Sequence, residues 1–376
     1  MDKHKFWKDQ PIAVGASSEN KAIELKKIDD INKSPYSLPE GYYWYTFNLN
    51  DDKDLDELYI FLLNYYAKNI EATKKFHYSK KILKWFLCNN KYNDLIIGVK
   101  YKNKLLATIC GIPMTIRLFD KEIEMIEINF LCIHNKLRNK RLSPVLIKEA
   151  TRRTNLHNIW QAFYTTDFDL PNCLCYGTYY HRFINVPKLI DTQFIAKPDK
   201  ISINGLSKIF KTIDKLTLNL RKLEEKDCVK CCSKFNSFHS KFKIAPVFTV
   251  DEFRNHFIED KVIYSYVVEK DGDITDFISF FDLSYQIKEN TKYDNLKVAY
   301  GYYYFYFENT LEKLIENCIL ILKNEQFDLL NYLDQYDTNP IFDKLNFNKG
   351  EGKMNFNFFN WMCPPVKNNE VALIMI

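Results

Sequence analysis

Glycine is scarce in this chain, with 10 residues in 376. Neither a Gly-x-Gly-x-x-Gly run nor a Gly-x-x-x-x-Gly-Lys-Ser/Thr run occurs. Such loops let the backbone approach the phosphates of dinucleotides and nucleoside triphosphates. Nucleotide hydrolysis and dinucleotide redox chemistry are therefore poor expectations. Long apolar runs are missing too: no stretch approaches the ~20 residues a membrane helix needs. The first 20 residues are charged and polar, without the apolar centre of a secretory leader. A soluble, cytoplasmic protein with no stable membrane insertion is expected. Ten cysteines are present but scattered, and Cys110, Cys132 and Cys318 sit inside apolar runs. Only Cys228, Cys231 and Cys232 cluster. His239 is near, but no second pair lies at zinc-like spacing, so no metal site is expected. Free thiols fit a reducing compartment. No Ser-His-Asp or Cys-His arrangement stands out. The net charge of +5 mildly favours phosphorylated ligands. It is too small, and too little interleaved with aromatics, for a nucleic-acid partner.

What is abundant is apolar and aromatic surface: 46% hydrophobic residues, with 29 Phe and 25 Tyr. That supports a large core and argues against disorder. The length allows one large domain or two ordinary ones. Residues up to about Pro39 read as an arm. Leu55 to Tyr66 and Lys80 to Leu87 have apolar positions at helical spacing. Leu95 to Tyr101 and Leu105 to Ile112 form a predicted hairpin, followed by a strand from Met125 to Ile133, a helix from Ser143 to Thr151 and a strand from Ile159 to Tyr164. The order then recurs. Val262 to Val268 and Asp276 to Phe281 are strands about an Asp271-Gly272-Asp273 turn. Leu296 to Phe307 is an aromatic strand, Leu311 to Leu322 a helix and Phe327 to Leu333 a strand. This pattern predicts a duplicated α/β unit, with residues 196 to 225 as connector.

The segment Glu127-Ile-Asn-Phe-Leu-Cys-Ile-His134 reads as a buried strand. It runs into a loop carrying Lys136, Arg138, Lys140 and Arg141, and the loop opens onto the helix. Ser143 suits an N-cap and Pro144 the first helical position. Free backbone N–H groups and the helix dipole make such an end an anion site. The pyrophosphate and 3′-phosphate of coenzyme A match it, although a solvated loop before an ordinary helix would read the same way. The corresponding loop of the second half, Glu308-Asn-Thr310, has no cations.

At these residues a resemblance becomes specific. Residues 127–134, then Leu137-Arg-x-Lys-Arg-Leu142 and Pro144-Val-Leu-Ile147, resemble the signature of N-myristoyltransferases. His4-Lys-Phe-Trp7 with Gln10-Pro11, Phe76-x-Tyr-Ser79, Tyr164-Thr165, Leu170-Pro171, Tyr179-x-His-Arg182, Thr275-Asp-Phe277, Asn360-Trp361 and Cys363-Pro364 match in the same order. The resemblance implies an α/β fold of two fused acyl-CoA N-acyltransferase-like units, with pseudo-twofold symmetry about a mixed, saddle-shaped sheet. Residues 1–195 would form the acyl-CoA half, and 196–376 a peptide half that contributes the terminal carboxylate.

By the same resemblance, the N-terminal glycine amine of a protein substrate attacks the thioester of myristoyl-CoA directly. Myristoyl-CoA is a co-substrate, no cofactor is permanently bound, and a monomer is expected. The backbone N–H groups of Phe130 and Leu131 would form the oxyanion hole, a donor of that kind being worth about 3–4 kcal/mol. Asn129 and Thr165 would hold the amine, and the carboxylate of Ile376 would take its proton. Val371 to Ile376 is uniformly apolar. A buried strand there would raise that carboxylate's basicity. The coenzyme would be held by His4, Lys5, Phe6, Trp7, Phe130, Leu131, Cys132, Ile133, Arg138, Asn139, Lys140, Arg141, Leu142, Ser143 and Pro144. About twelve buried methylenes at ~0.8 kcal/mol each would supply roughly 9–10 kcal/mol. Tyr66, Glu71, Phe76, Tyr78, Tyr179, His181 and Glu351 fall at groove positions for the peptide. A catalytically silent acyl-CoA or lipidated-peptide binding module would keep the loop and pocket, but would not need the carboxylate.

The chain departs from the family where an acidic run usually faces substrate lysines. Residues 67–75 read Ala-Lys-Asn-Ile-Glu-Ala-Thr-Lys-Lys, and residues 346–352 carry Glu351 in place of an aspartate. A shifted preference for basic residues downstream of the glycine is the expectation.

Overall fold

The structure is a computed structural model. It describes residues 6–7, 10–13, 17–66, 74–88, 91–166, 170, 173–197 and 199–376. β1 (Tyr42–Thr46), α1 (Asp52–Tyr65), β2 (Lys74–Phe76) and α2 (Lys80–Cys88) lead into β3 (Ile96–Tyr101), β4 (Lys104–Leu118) and β5 (Lys121–Ile133). α3 (Leu142–Leu156) and β6 (Ala162–Thr166) complete a first unit. A connecting stretch holds β7 (Cys175–Phe183), α4 (Val186–Asp191), α5 (Ile203–Ile209), β8 (Leu220–Lys222), α6 (Cys228–His239), β9 (Ile244–Pro246) and α7 (Val250–Phe257). The second unit runs through β10 (Ile263–Lys270), β11 (Asp273–Asp282), β12 (Tyr285–Ile287), β13 (Asn295–Leu296), β14 (Val298–Tyr306), α8 (Leu311–Asn324) and β15 (Leu329–Leu333). α9 (Asn339–Lys344) and β16 (Asn348–Phe359) follow.

Local chemistry explains the main helices. The Asp51 side chain accepts from Lys53 N–H and caps α1. Leu55, Leu58 and Leu62 then fall on one buried face with Phe61. Thr310 caps α8 in the same way, and Leu311, Leu314, Ile315, Cys318, Ile319 and Leu322 bury the matching stripe. Each such side chain adds about 1.5–3 kcal/mol of apolar burial.

The large sheet has the order β1-β3-β4-β5-β6-β16-β7-β15-β14-β11-β10-β8, with β9 on β4. It reads as two copies of one motif, head to head. Each copy has an antiparallel hairpin (β3–β4, β10–β11), a long antiparallel strand (β5, β14), a helix and a final strand parallel to the long one (β6, β15). The duplication expected from patterning is therefore present. β16 and β7 lie between the copies and join them, β16 to β6 and β7 to β15. Neither strand was assigned from pattern. Gly177, Gly350, Gly352 and several asparagines interrupt their alternation.

Two further expectations fail locally. Ser143 is not the N-cap of α3: the helix starts at Leu142 behind a left-handed Arg141, so Ser143 and Pro144 lie inside the first turn. The tail Val371–Ile376 is buried throughout but is not a ladder strand. A single parallel bridge joins Val371 to Ile244. Beyond it the tail is held by scattered bonds, Ala372 N–H to Ile244 O at 2.7 Å and Ile374 N–H to Tyr303 Oη at 3.3 Å. Cys228, Cys231 and Cys232 pack in the core as free thiols. The described residues hold no cluster of metal-ligating groups. No helix among them is long and apolar enough to cross a membrane.

Candidate active site

β5 carries an irregularity near its C-terminal end. Thr108 pairs with Cys132 and Cys110 with Asn129, so Phe130 and Leu131 both face the single residue Ile109. Such a bulge takes backbone groups out of the ladder and re-aims them. Phe130 adopts φ 52°, a left-handed conformation that costs a non-glycine residue about 1–3 kcal/mol. Packing holds it there. The Thr108 hydroxyl donates to Phe130 O at 2.9 Å. Tyr66 and Tyr78 pack on the Phe130 ring with centroids at 5.3 Å, and Phe86 at 6.3 Å.

β5 then leads into the basic loop. Asn139 and Arg141 are left-handed, which folds the backbone into a concave turn suited to an anion. Arg138 donates to Tyr65 O at 2.7 Å and Ile133 O at 3.3 Å, tying the loop to the end of α1. Among the described residues none of Lys136, Arg138, Lys140 and Arg141 is ion-paired, so the loop keeps its positive field. α3 is anchored from beneath. Buried Glu149 bonds Arg152 at 2.7 and 2.9 Å and Arg153 at 2.9 Å. Arg152 reaches Lys33 O at 3.0 Å, which holds the arm against the helix.

β5 and β6 pair through only two residue pairs, Ile126↔Ala162 and Glu127↔Phe163. Beside the remainder of the two strands lies a cavity of about 1150 Å³, larger than the about 300–1,000 Å³ of an ordinary small-ligand site. Ile109, Ile128, Ile147, Ala150, Trp160, Ala162 and Phe359 supply its apolar wall. Trp7 closes part of it, stacked on Tyr164 at 5.5 Å.

Asn129, Phe130, Leu131, Thr165 and Ile376 all line this one cavity, although they come from two strands and the end of the chain. Trp7, Cys132, Ile133, Arg138, Asn139 and Ser143 line it as well. Phe6 packs edge-on to Trp7 at 5.2 Å. Lys140, Arg141, Leu142 and Pro144 lie on the adjoining loop and first turn, and His4 and Lys5 are outside the described residues. On the other side, Tyr66, Phe76, Tyr78 and Tyr179 line the cavity with Tyr300. His181 does not; its Nδ1 meets Asn331 Oδ1 at 2.6 Å and its ring lies edge-on to Phe194. Glu351 is exposed on β16 beside the lining residues Gly352 and Lys353. Glu71 is outside the described residues.

One residue was missed by the sequence reading. Glu127 is 1% exposed. It accepts from Asn129 Nδ2 at 2.7 Å and from the N–H of Ile376. Burial pushes its carboxyl up to about 8, against the pull of those two donors. Its signal was a charged residue inside an apolar strand. The bond from Asn129 leaves Asn129 Oδ1 without a donor among the described residues.

Comparison with known proteins agrees with this geometry. Residues 22–176 match the family model for the N-terminal domain of myristoyl-CoA:protein N-myristoyltransferase, and residues 191–373 the model for its C-terminal domain. The glycylpeptide N-tetradecanoyltransferase of Dictyostelium discoideum is 36% identical, covering 99% of this chain and 92% of its own. That of Plasmodium falciparum is 33% identical, covering 99% and 93%. The chain belongs to the N-myristoyltransferase family. The crystal structure of the Saccharomyces cerevisiae N-myristoyltransferase with bound myristoyl-CoA superposes with a TM-score of 0.95 over 100% of both chains, at 33% identity. A GCN5-related N-acetyltransferase from Anabaena variabilis shares the fold at a TM-score of 0.51 and 9% identity.

In the second unit of this N-myristoyltransferase the corresponding loop is filled from within. Before α8, the N–H groups of Phe307, Glu308 and Asn309 all point at Asp276 Oδ1, at 3.1, 3.4 and 3.0 Å. Asn309 Nδ2 and the Thr275 hydroxyl bond Oδ2 at 2.8 and 2.6 Å. An internal carboxylate occupies these donors, and among the described residues no carboxylate does so in the first unit's loop.

Proposed function

We propose that the cavity beside β5 and β6 seats myristoyl-CoA, and that its bulge, the end of the chain and Glu127 carry out acyl transfer. The reaction is that of the family: the chain is an acyltransferase that moves myristoyl from myristoyl-CoA to the N-terminal glycine amine of its substrates. We read residues 1–195 as the acyl-CoA half and 196–376 as the peptide half. The pyrophosphate and 3′-phosphate lie against the loop from Arg138 to Ser143, and the acyl chain runs down the apolar wall between α3 and β6. The thioester oxygen sits at the Phe130–Leu131 bulge, where two main-chain N–H groups meet the charge that develops in the tetrahedral intermediate. They are fixed by the ladder on either side, so they need no reorganisation during reaction.

The glycine amine arrives from the side of Tyr66, Phe76, Tyr78 and Tyr179, past Tyr300. Asn129 Oδ1 and the Thr165 hydroxyl orient it. An α-amino group has a pKa of about 8, so a proton must leave before attack. The carboxylate of Ile376, with Ile376 as the last residue, accepts it. Glu127 is joined to that residue through the Ile376 N–H and holds the tail in place. Its ionisation would raise the basicity of the terminal carboxylate beside it. The electron pair of the amine then forms the C–N bond; as the tetrahedral intermediate collapses the C–S bond breaks, the nitrogen gives up its second proton, and coenzyme A leaves as the thiol. Ten cysteines without a disulfide support work in a reducing cytoplasm, and we read the enzyme as a monomer.

The placement of Ile376 in the cavity wall, against Glu127, carries this reading. Mass spectrometry of a glycine-starting peptide incubated with myristoyl-CoA tests it. The expected result is one myristoyl group on the N-terminal amine. Binding of myristoyl-CoA without any mass gain would favour the silent binding module instead.

A further inference from the structure

β5 and β6 meet at one end of the cavity and part toward the other. They pair at Ile126↔Ala162 and Glu127↔Phe163, and at the same end the N–H of Ile126 donates to Gln161 O at 3.0 Å. The Phe130 bulge stands four residues further along β5, about 13 Å away at ~3.3 Å each. α3, the crossover between these parallel strands, runs back beside them. Its lining residues extend from Ser143, by the basic loop, to Thr154 and Asn155 in the last turn, about 18 Å of helix. An acyl chain with its thioester at the bulge therefore has its tip among Asn155, Trp160 and Gln161. That end is polar, unlike the wall leading to it. Gln161 is 8% exposed and lines the cavity. Its carbonyl serves Ile126, but among the described residues its side-chain amide has no partner. Nor is that amide sealed among packed side chains, as the unpartnered Tyr164 hydroxyl is; it opens on free space. Asn155, 6% exposed, lines the same end. Its nitrogen is oriented to donate to Thr151 O at 3.2 Å and Ile159 O at 3.0 Å, which leaves its oxygen without a donor among the described residues. An apolar group pressed on such amides removes their water and returns no hydrogen bond.

We infer that Gln161 and Asn155 form a polar subsite at the far end of the acyl cavity, which takes a hydrogen-bonding oxygen on the last carbons of the acyl chain, so that ω-oxygenated acyl-CoAs are substrates beside myristoyl-CoA. The inference rests on the seating of the acyl chain in this cavity. Gln161 offers donors and an acceptor, and Asn155 an acceptor, so a terminal hydroxyl finds a partner for its hydrogen and for its lone pairs. Thr151, Thr154, Asn155, Trp160 and Gln161, the lining residues at this end, carry no charge. A neutral hydroxyl or ether therefore suits the subsite, and a carboxylate, which would be buried without a cation, does not.

The test uses the full-length enzyme and two acyl-CoAs of equal chain length, myristoyl-CoA and ω-hydroxymyristoyl-CoA. The variant is Gln161→Met, which keeps the length of the side chain and removes its amide. Calorimetry gives both Kd values without requiring turnover, and kcat/KM with a glycine-starting peptide repeats the comparison in the reaction. A purely apolar end would weaken binding of the hydroxylated chain about a hundredfold or more. In the wild type the expected loss is under about tenfold, because the amides replace the hydroxyl's water. In Gln161→Met the ratio of the two Kd values should rise about tenfold over wild type, and Asn155→Leu should move it the same way. A wild-type loss above tenfold overturns the inference. So does a ratio that Gln161→Met leaves unchanged. If Gln161→Met fails to fold, the wild-type comparison and Asn155→Leu decide by the same criteria. A wild-type enzyme that binds both acyl-CoAs but acylates nothing would instead sink the functional reading, and the calorimetric ratio would still report on Gln161.

Discussion

Replacing Glu127 by Gln separates what burial does from what charge does. Gln keeps one carbonyl acceptor, as the protonated acid does, and cannot ionise. In the folded protein the Glu127 carboxyl is pushed from 4.5 up to about 8, so its proton is held more tightly in the native state than in the unfolded chain. Its contribution to stability is then complete below about pH 4.5. It is lost progressively as pH rises to about 8, and constant above that. At about 1.4 kcal/mol per pH step, the window amounts to about 5 kcal/mol. Denaturant unfolding of wild type and Glu127→Gln at intervals between pH 5 and 9 measures it. The stability of the variant relative to wild type should climb steadily up to about pH 8 and then level off. Single-turnover acyl transfer completes the picture. With a midpoint at about 8, about one-tenth of the Glu127 is ionised at pH 7 and nine-tenths at pH 9. The wild-type rate should rise over that interval, and the variant should lie about 10²-fold lower at its top. A stability difference that stays flat from pH 5 to 9 would refute the burial argument. A variant with wild-type rates would remove Glu127 from the chemistry.

Adding one glycine after Ile376 moves the carboxylate by roughly 3.5 Å; kcat should fall at least about 100-fold, while calorimetric affinity for myristoyl-CoA changes less than about twofold. Glu149→Gln leaves Arg152 and Arg153 without their buried partner; urea denaturation should show a loss of about 3–5 kcal/mol, and a loss under 1 kcal/mol would contradict the anchoring of α3 described above. Trp7→Ala removes the stack on Tyr164, worth about 1 kcal/mol; Kd for myristoyl-CoA should rise about fivefold, with KM for the peptide unchanged.

Much of this protein was written locally. Apolar spacing in Leu55 to Tyr66 and Leu311 to Leu322 set two helices, because a helix buries whatever recurs every three to four residues. The turn at Asp271-Gly272-Asp273 and the alternating runs around it set a hairpin. The repeated order of hairpin, strand, helix and strand announced two like units, and the motif 127–147 carried the family. The scarcity of glycine excluded the common phosphate loops. These features depend on neighbours along the chain, and a sequence records them directly.

Other features depend on residues far apart in sequence, and only the tertiary structure decided them. β7 and β16 join the units although their own patterns are broken by glycine and asparagine, because pairing partners on both sides compensate for weak propensity. The tail looked like a strand from its apolar run. It became a threaded segment, because Ile244, Tyr303 and Tyr336 offer it separate hydrogen bonds rather than a continuous edge. Asp276 read as part of a motif, and its carboxylate fills the second unit's loop only because β11 and the start of α8 meet. Glu127 was an ordinary charged letter until folding removed its solvent. A side chain's pKa and its need for a partner belong to its surroundings, and those come from contacts across the whole chain.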